Sequence, residues 1–447
     1  MKTELRSSTS PVSLSKPSVF DTSQSSLPGA LNGCLGTPDG ACIEKLLHQC
    51  ASALENNDVT LAHMMWVLNN VASSIGDPNQ RLTSWFLRAL ISRASRVCPS
   101  TTINFPDGTP ATLQRNSSRP LSMTELAGYV DTIPWHIFGF CASNHSILKA
   151  IQGHKKVHIL DFSITHCVQW PTLIDALAKR PGGPPALRIS VPSLRPPVPP
   201  LVNVSSEDVG LRLENFAKSR DITFSFSVLG GSSSKSSTHV HFDLERLMNH
   251  LNPTSLELKD DEALVVNCQN WLRYLPDELQ GNTQQAPSFR NRFLEIIRGI
   301  NPHIVIVVDE DADLDTSSLK SRITASFNYL WILFDALETL LPKDSCQRSE
   351  YEADIGHKIE NIIGFEGLQR IERLESGIRL VERMKRAKFI SIPICEETSK
   401  EVKYLINEHA SGWGTKKVDE MLVLTWKGHN SVFATTWVPF GSGPSGL

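Results

Sequence analysis

The residues best placed to do chemistry follow the first short apolar run of the chain. Val157-His158-Ile159-Leu160-Asp161 ends on a carboxylate, where an open α/β sheet begins a D-x-G-x-G-x-G cofactor loop. Such a loop needs glycines, because the backbone must turn tightly and approach the cofactor with no Cβ in the way. Here Ser163, Thr165 and Cys167 fill the glycine positions, and no glycine occurs between Gly153 and Gly182. A side chain forced into a left-handed turn costs roughly 1–2 kcal/mol, and its bulk takes cofactor space. The next apolar run, Ala186–Val191, leads into Pro192 and Ser193 and meets no carboxylate before Glu207, so an acid for ribose hydroxyls is missing too. The expectation is no cofactor and no catalysis.

Other constellations point the same way. There is no G-x-S-x-G elbow, Walker loop or H-E-x-x-H helix. His154, His158, His166 and Cys167 are metal-ligand types, but His158 falls inside the apolar run and no second close ligand pair exists. The acidic run Asp309–Asp315 lacks the central glycine and terminal glutamate of an EF-hand. The nine cysteines are unclustered, which reads as reduced thiols. Neither catalytic nor metal-binding residues are assigned.

The elements that would carry these residues can be read from periodicity. At 447 residues and 40% hydrophobic content, the chain can build a large core. Residues 1–40, rich in Ser, Thr, Pro and Gly, read as a disordered tail. Ile43, Leu46, Leu47, Cys50 and Leu54 form a helical stripe, and Leu61 to Ile75 carries another. Asp77-Pro78 marks the start of a third helix, and helices resume from Met123 to Ile151. From Val157 the rhythm changes to short apolar runs (157–162, 186–191, 223–229, 263–268, 304–308) separated by helical segments, the pattern of a mostly parallel sheet covered on both faces. A helical stretch spans about 319–388, broken at Pro342. Runs at Met421–Lys427 and Val432–Val438, around Gly428-His429-Asn430, read as a closing antiparallel hairpin. The predicted architecture is α/β, methyltransferase-like (Rossmann-type), with a C-terminal antiparallel hairpin and a helical block ahead of the sheet. No segment is long and apolar enough to span a membrane.

Binding features are local. A net charge of −3 confines any nucleic-acid surface to a patch. Two basic sets are candidates for DNA or partner contact: Arg88, Arg93 and Arg96, and Arg383, Lys385 and Arg386. Leu337-Glu338-Thr339-Leu340-Leu341 is an LxxLL sequence, which at this spacing also suits a domain core. The stripe from Ile43 to Ile75 could bind a partner helix or form a homo- or heterodimer, but lacks sustained heptads.

Longer motifs carry a family resemblance. Val157-His158-Ile159-Leu160-Asp161 resembles the VHIID motif of the GRAS family of plant transcriptional regulators. It is followed by Gln169-Trp170-Pro171 and Arg180-Pro181-Gly182-Gly183-Pro184-Pro185. Phe334-Asp335-Ala336-Leu337, Glu360-Asn361-Ile362-Ile363 and Arg370-Ile371-Glu372-Arg373 resemble its PFYRE region and the stretch beyond. Gly412-Trp413-Gly414, Leu424-Thr425-Trp426-Lys427-Gly428-His429-Asn430 and Thr436-Trp437 resemble its terminal SAW region. The resemblance runs from about Cys42 to Pro439 and is nearest to the scarecrow-like branch. Ser163 departs from a usual acid, Cys167 and Lys388 from usual glycines, and Leu380 from a usual tryptophan.

The resemblance implies an α-helical cap of residues 41–150 on an α/β core of 151–447, with an insertion at about 316–388 that partly joins the cap, and a nuclear regulator of transcription in plant development. It implies other transcription factors or coregulators as partners, and DNA reached directly or through them. The alternative carried beside it is an S-adenosylmethionine-dependent small-molecule methyltransferase with an altered loop.

Overall fold

The computed structural model describes residues 40–97, 120–164, 167–193, 196, 198–199, 201–230, 244–277 and 288–441. Residues 1–39 of the expected tail, Thr165 and His166 lie outside the described residues.

The first three helices, α1 (Gly40–Glu55), α2 (Leu61–Val71) and α3 (Pro78–Val97), form where the apolar stripes predict them. Asp77 and Gln80 close α3 reciprocally: Asp77 Oδ1 accepts from Gln80 N at 2.9 Å, and Asp77 N donates to Gln80 Oε1 at 3.1 Å. Then come α4 (Met123–Thr132), started by a capping box of Ser122 and Glu125, and α5 (Trp135–Ala150).

The α/β part runs β1 (Lys156–Asp161), α6 (Trp170–Ala178), β2 (Ala186–Pro192), α7 (Ser206–Lys218), β3 (Phe224–Leu229), α8 (Leu244–His250), β4 (Ala263–Gln269), α9 (Phe289–Gly299) and β5 (Ile304–Glu310). After it come α10 (Leu319–Leu340), α11 (Cys346–Gly364), α12 (Gly377–Arg386), β6 (Phe389–Ile392), α13 (Glu396–Asn407), β7 (Trp413–Val418), β8 (Met421–Trp426) and β9 (His429–Pro439). These strands form one sheet, in the order β3-β2-β1-β4-β5-β9-β8-β7, with β6 also on β9. The first five pair in parallel and β9 runs antiparallel to β5. The fold class is as expected from the sequence.

The closing portion is larger than a hairpin. β9 divides its outer edge: His429 to Ala434 pairs with β8, and Thr436 to Pro439 pairs with β6. β7 adds an edge strand that apolar patterning missed, because Thr415, Lys416 and Lys417 make it polar. Lysines on an outer strand also discourage edge-to-edge pairing. The stretch 365–376, expected to be helical, is mostly extended apart from a short turn at Gly367–Gln369.

Helices α10 and α11, inserted between β5 and β6, pack on α1 and α3, so this helical layer draws on two distant parts of the chain. Arg81 on α3 meets Glu338 at 2.9 Å and Glu352 at 3.0 Å, and Arg348 on α11 joins both carboxylates. α5 departs from the expected cap: it lies on β4, β5 and β9 and against α13, as part of the sheet's covering layer. Gly139 permits that approach, since a Cβ there would stand 2.8 Å from Gln269 Oε1 and 2.9 Å from Val308 Cγ1. One apolar cluster runs from the cap through Ile159, Ile306 and Leu424 of the sheet, and a second fills the opposite face around Phe162, Trp271, Phe293 and Trp437.

Candidate functional site

In an open parallel sheet, ligands bind beyond the carboxyl ends of the strands. Here that crevice is formed by the ends of β1 and β4 and by the turn before α6. Asp161 closes β1, wholly buried. Its Oδ1 accepts from Ser163 N at 2.9 Å and Asn267 Nδ2 at 3.0 Å. Its Oδ2 accepts from Trp170 Nε1 at 2.8 Å and Ser163 Oγ at 3.1 Å, with Cys167 Sγ at 3.7 Å. The carboxylate is satisfied by its own chain.

The network continues inward. Gln169 Oε1 accepts from Gln269 Nε2 at 2.6 Å and Asn267 Nδ2 at 3.1 Å, while Gln169 Nε2 donates to Asn144 Oδ1 at 2.8 Å. Asn144 Nδ2 donates to Thr172 Oγ1 at 2.9 Å. These buried amides tie β1, β4, α5 and α6 together, and each lone pair used this way is withdrawn from a ligand.

The turn itself is left-handed. Cys167 has φ +66° and is buried, so the backbone makes the turn a glycine would make, but with a thiol projecting onto Asp161. Trp170 is fully buried at the start of α6.

Of the candidate metal-ligand histidines, His154 and His158 are described, and they stand in separate places. His158 Nε2 lies 2.7 Å from Ser190 Oγ inside the sheet, whereas the His154 ring packs edge-on to His303 at 4.9 Å. Burial, with Arg188 and Lys259 nearby, pushes the His158 imidazole down to about 3. Among the described residues, no cluster of His, Cys, Asp and Glu could hold a metal ion.

The acidic run after β5 is held by protein cations. Arg273 binds Asp309 and Glu310, Lys358 binds Glu310 at 2.5 Å, and Arg379 binds Asp313 at 2.6 Å. Arg290, Arg370 and Arg373 surround Asp315 at 3.5–3.7 Å. Burial opposes ionisation of Glu310, but Arg273 and Lys358 outweigh it and hold the carboxyl down to about 2.

The first basic set lies in the seam between α3 and α11. Arg93 donates to Ile363 O at 3.2 Å and pairs with Glu366 at 2.8 Å, and Arg96 donates to Gly364 O. Arg96 also lies 3.9 Å over the Phe365 ring, and Arg88 lies 4.3 Å over Trp85 and 3.7 Å from Glu360. Arginines at the last carbonyls of a helix complement its negative end. In the second set, Arg383 is enclosed by Asp277 at 2.5 Å and Glu375 at 2.8 Å. Lys385 and Arg386 face solvent, each beside one carboxylate, Glu420 or Glu382.

The motif residues are core residues. Val157, Ile159 and Leu160 are buried in β1. Trp413 and Trp426 are cross-strand partners with rings 4.8 Å apart, Trp426 Nε1 donates to Asp335 Oδ2 at 2.6 Å, and Trp437 fills the opposite face. In the LxxLL segment Leu337 is buried, and Leu340 and Leu341 pack against the same cluster. Among the described residues, Cys50, Cys141, Cys167, Cys268, Cys346 and Cys395 carry free thiols. No helix among the described residues is long and apolar enough to cross a membrane.

Comparison with known proteins gives a consistent result. The GRAS domain family matches residues 43–438. Scarecrow-like protein 32 of Arabidopsis thaliana is 44% identical over 432 residues, covering 95% of this chain and 100% of that protein. Scarecrow-like transcription factor PAT1 from the same plant is 28% identical over 88% of this chain and 75% of its own length. Protein SHORT-ROOT, also from Arabidopsis thaliana, is 27% identical over 89% of this chain and 73% of its own. The crystal structure of SCL7 in Oryza sativa superposes with a TM-score of 0.71 at 23% identity, covering 88% of this chain and 99% of that one.

Proposed function

This chain belongs to the GRAS domain family, and from that premise we propose that it acts in the nucleus as a regulator of transcription, gathering protein partners on its folded surface and reaching DNA through them. The observation that carries this reading is the strand-end crevice. Where the fold would seat a nucleotide-bearing cofactor, Asp161 is saturated by internal donors and the turn carries Cys167 in place of a glycine. A relative named as a transcription factor supports the same assignment.

DNA contact through partners is favoured by the fate of the arginines. Arg88, Arg93, Arg96 and Arg383 are engaged inside the fold, and phosphate binding would have to displace those contacts. We propose that the four hold the cap and core in place. Residues 41–447 are proposed to work as one regulatory unit, because a single apolar cluster joins cap to sheet.

The test pairs two measurements on the full chain. Isolation of the tagged protein from nuclei should recover DNA-binding proteins together with specific promoter chromatin. Binding to naked duplex should be weak, with little dependence on salt. An exclusively cytoplasmic protein, or tight duplex binding with a steep salt slope, contradicts the proposal.

A further inference from the structure

The sheet ends on β7, and the outer side of that strand carries peptide groups that the fold does not use. Lys427 N donates to Gly412 O at 2.7 Å, which fixes the alternation of the β7–β8 pair. Gly414, Lys416 and Val418 then exchange hydrogen bonds with Thr425, Val423 and Met421, and the peptide groups of Trp413, Thr415 and Lys417 turn outward. Trp413 N reaches Ala410 O at 3.5 Å. The Trp413 carbonyl, and the N–H and C=O of Thr415 and Lys417, have no partner among the described residues. Donors and acceptors therefore stand in line at strand spacing, a template for one more strand.

A lysine rim flanks this edge. α13 lies against β7, and Lys417 Nζ meets Glu396 at the start of that helix at 2.5 Å. Lys400 and Lys403 follow Glu396 at i+4 and i+7, so they continue the same stripe of α13 along the strand. Glu397 and Glu401 lie on another side of the helix, nearer Lys149 and Cys141 of α5. Lys416 projects from the opposite face of β7. Lys400, Lys403 and Lys416 are exposed, and none of the three is in an ion pair among the described residues. The hairpin tip adds Asp419 and Glu420, but Lys385 holds Glu420, so the rim stays positive.

Charge selects the occupant. Two copies of this edge would set lysines against lysines, which disfavours self-pairing. A nucleic acid would answer the lysines and leave the strand-spaced N–H and C=O groups unused. An extended acidic peptide answers both.

We propose that the outer edge of β7 binds an extended, acidic segment of a partner protein by β-strand addition. Main-chain hydrogen bonds to Thr415 and Lys417 hold the segment, and its carboxylates meet Lys400, Lys403 and Lys416. The proposal rests on the recruitment reading for the source of the segment, and its binding chemistry is tested without it.

Fluorescence anisotropy on the full chain tests it with a labelled peptide of alternating glutamate and valine. The controls are the lysine–valine counterpart, the acidic peptide with its amides N-methylated, and a single-stranded oligonucleotide. The acidic peptide should bind saturably, at least about tenfold tighter than each control. Thr415→Pro removes an outward N–H where an edge strand tolerates proline, and should weaken the peptide at least about tenfold while thermal unfolding stays cooperative. Replacing Lys400, Lys403 and Lys416 together by alanine should weaken it about tenfold and flatten its salt dependence. No saturable binding up to about 1 mM overturns the proposal. So does equal binding of the N-methylated peptide, tighter binding of the oligonucleotide, or unchanged affinity in folded Thr415→Pro. Such a failure leaves recruitment at another surface intact. Recovery of no DNA-binding proteins from nuclei, with the peptide still bound in vitro, sinks recruitment and spares the β7 site.

Discussion

Cys167 Sγ lies 3.7 Å from Asp161 Oδ2, so the residue in the left-handed turn after the first strand rests its side chain on the carboxylate that ends that strand. A glycine-containing turn would leave both the space and the carboxylate open. With Trp170 Nε1 and Ser163 already on the same group, the strand end functions as a structural joint.

If Asp161 is such a joint, removing it should be costly even though it faces no solvent. Asp161→Ala leaves the Trp170 indole N–H, the Ser163 amide and the Asn267 amide without their shared acceptor. The expected loss is on the order of 3 kcal/mol, measured by urea unfolding. A change of less than about 1 kcal/mol would mean the carboxylate is not central to the fold.

Lys388 offers the opposite sign. It holds φ +64° just before β6, is exposed, and occupies a place where the family resemblance points to glycine. Lys388→Gly should therefore stabilise the protein by about 0.5–1 kcal/mol, the left-handed penalty less the added chain entropy. A lower urea midpoint would contradict this.

The second basic set should divide on mutation. Arg383→Ala removes one of the two cations between Asp277 and Glu375, leaving Arg290 beside both, and should cost about 1.5–3 kcal/mol. Lys385→Ala and Arg386→Ala sit on solvent-exposed pairs and should leave thermal unfolding unchanged. Equal effects at all three positions would contradict the division.

Two deeply buried histidines contribute most to the acid response, and burial lowers His48 and His303 as well. His158 is held down to about 3 and His136 to about 4, both below the 6.5 of an unperturbed imidazole. The unfolded chain therefore takes up protons that the native chain cannot hold. Their contribution is complete above pH 6.5 and is lost as pH falls toward 4, at about 1.4 kcal/mol per pH unit for each histidine. Below 4.5, protonation on unfolding of Glu310, held down to about 2, adds to the loss. Unfolding free energies measured from pH 7.5 to 5 should show this slope, and His158→Asn should flatten it by one histidine's share. A slope unchanged in that variant would contradict the assignment.

Much of the fold was legible because fully apolar runs such as Ala263–Gln269 and Ile304–Glu310 can be satisfied only by strands covered on both faces. β7 was not, since Lys416 and Lys417 make an edge strand resemble a loop. α5 was assigned to the cap because Phe138, Cys141 and Ile147 give it an apolar surface but do not say which neighbour meets it. The pairing of Arg93 and Arg96 on one face could be read from their spacing. That this face meets the carbonyls of Ile363 and Gly364 could not, because nearly 270 residues separate them.

The claim on which the functional reading rests is that side chains of this chain already occupy the strand-end crevice. Calorimetric titration of the full chain with S-adenosylmethionine probes it directly. The predicted result is no saturable heat up to millimolar ligand. Stoichiometric binding at micromolar concentration, abolished by Asp161→Asn, would contradict it and return the methyltransferase alternative to the front.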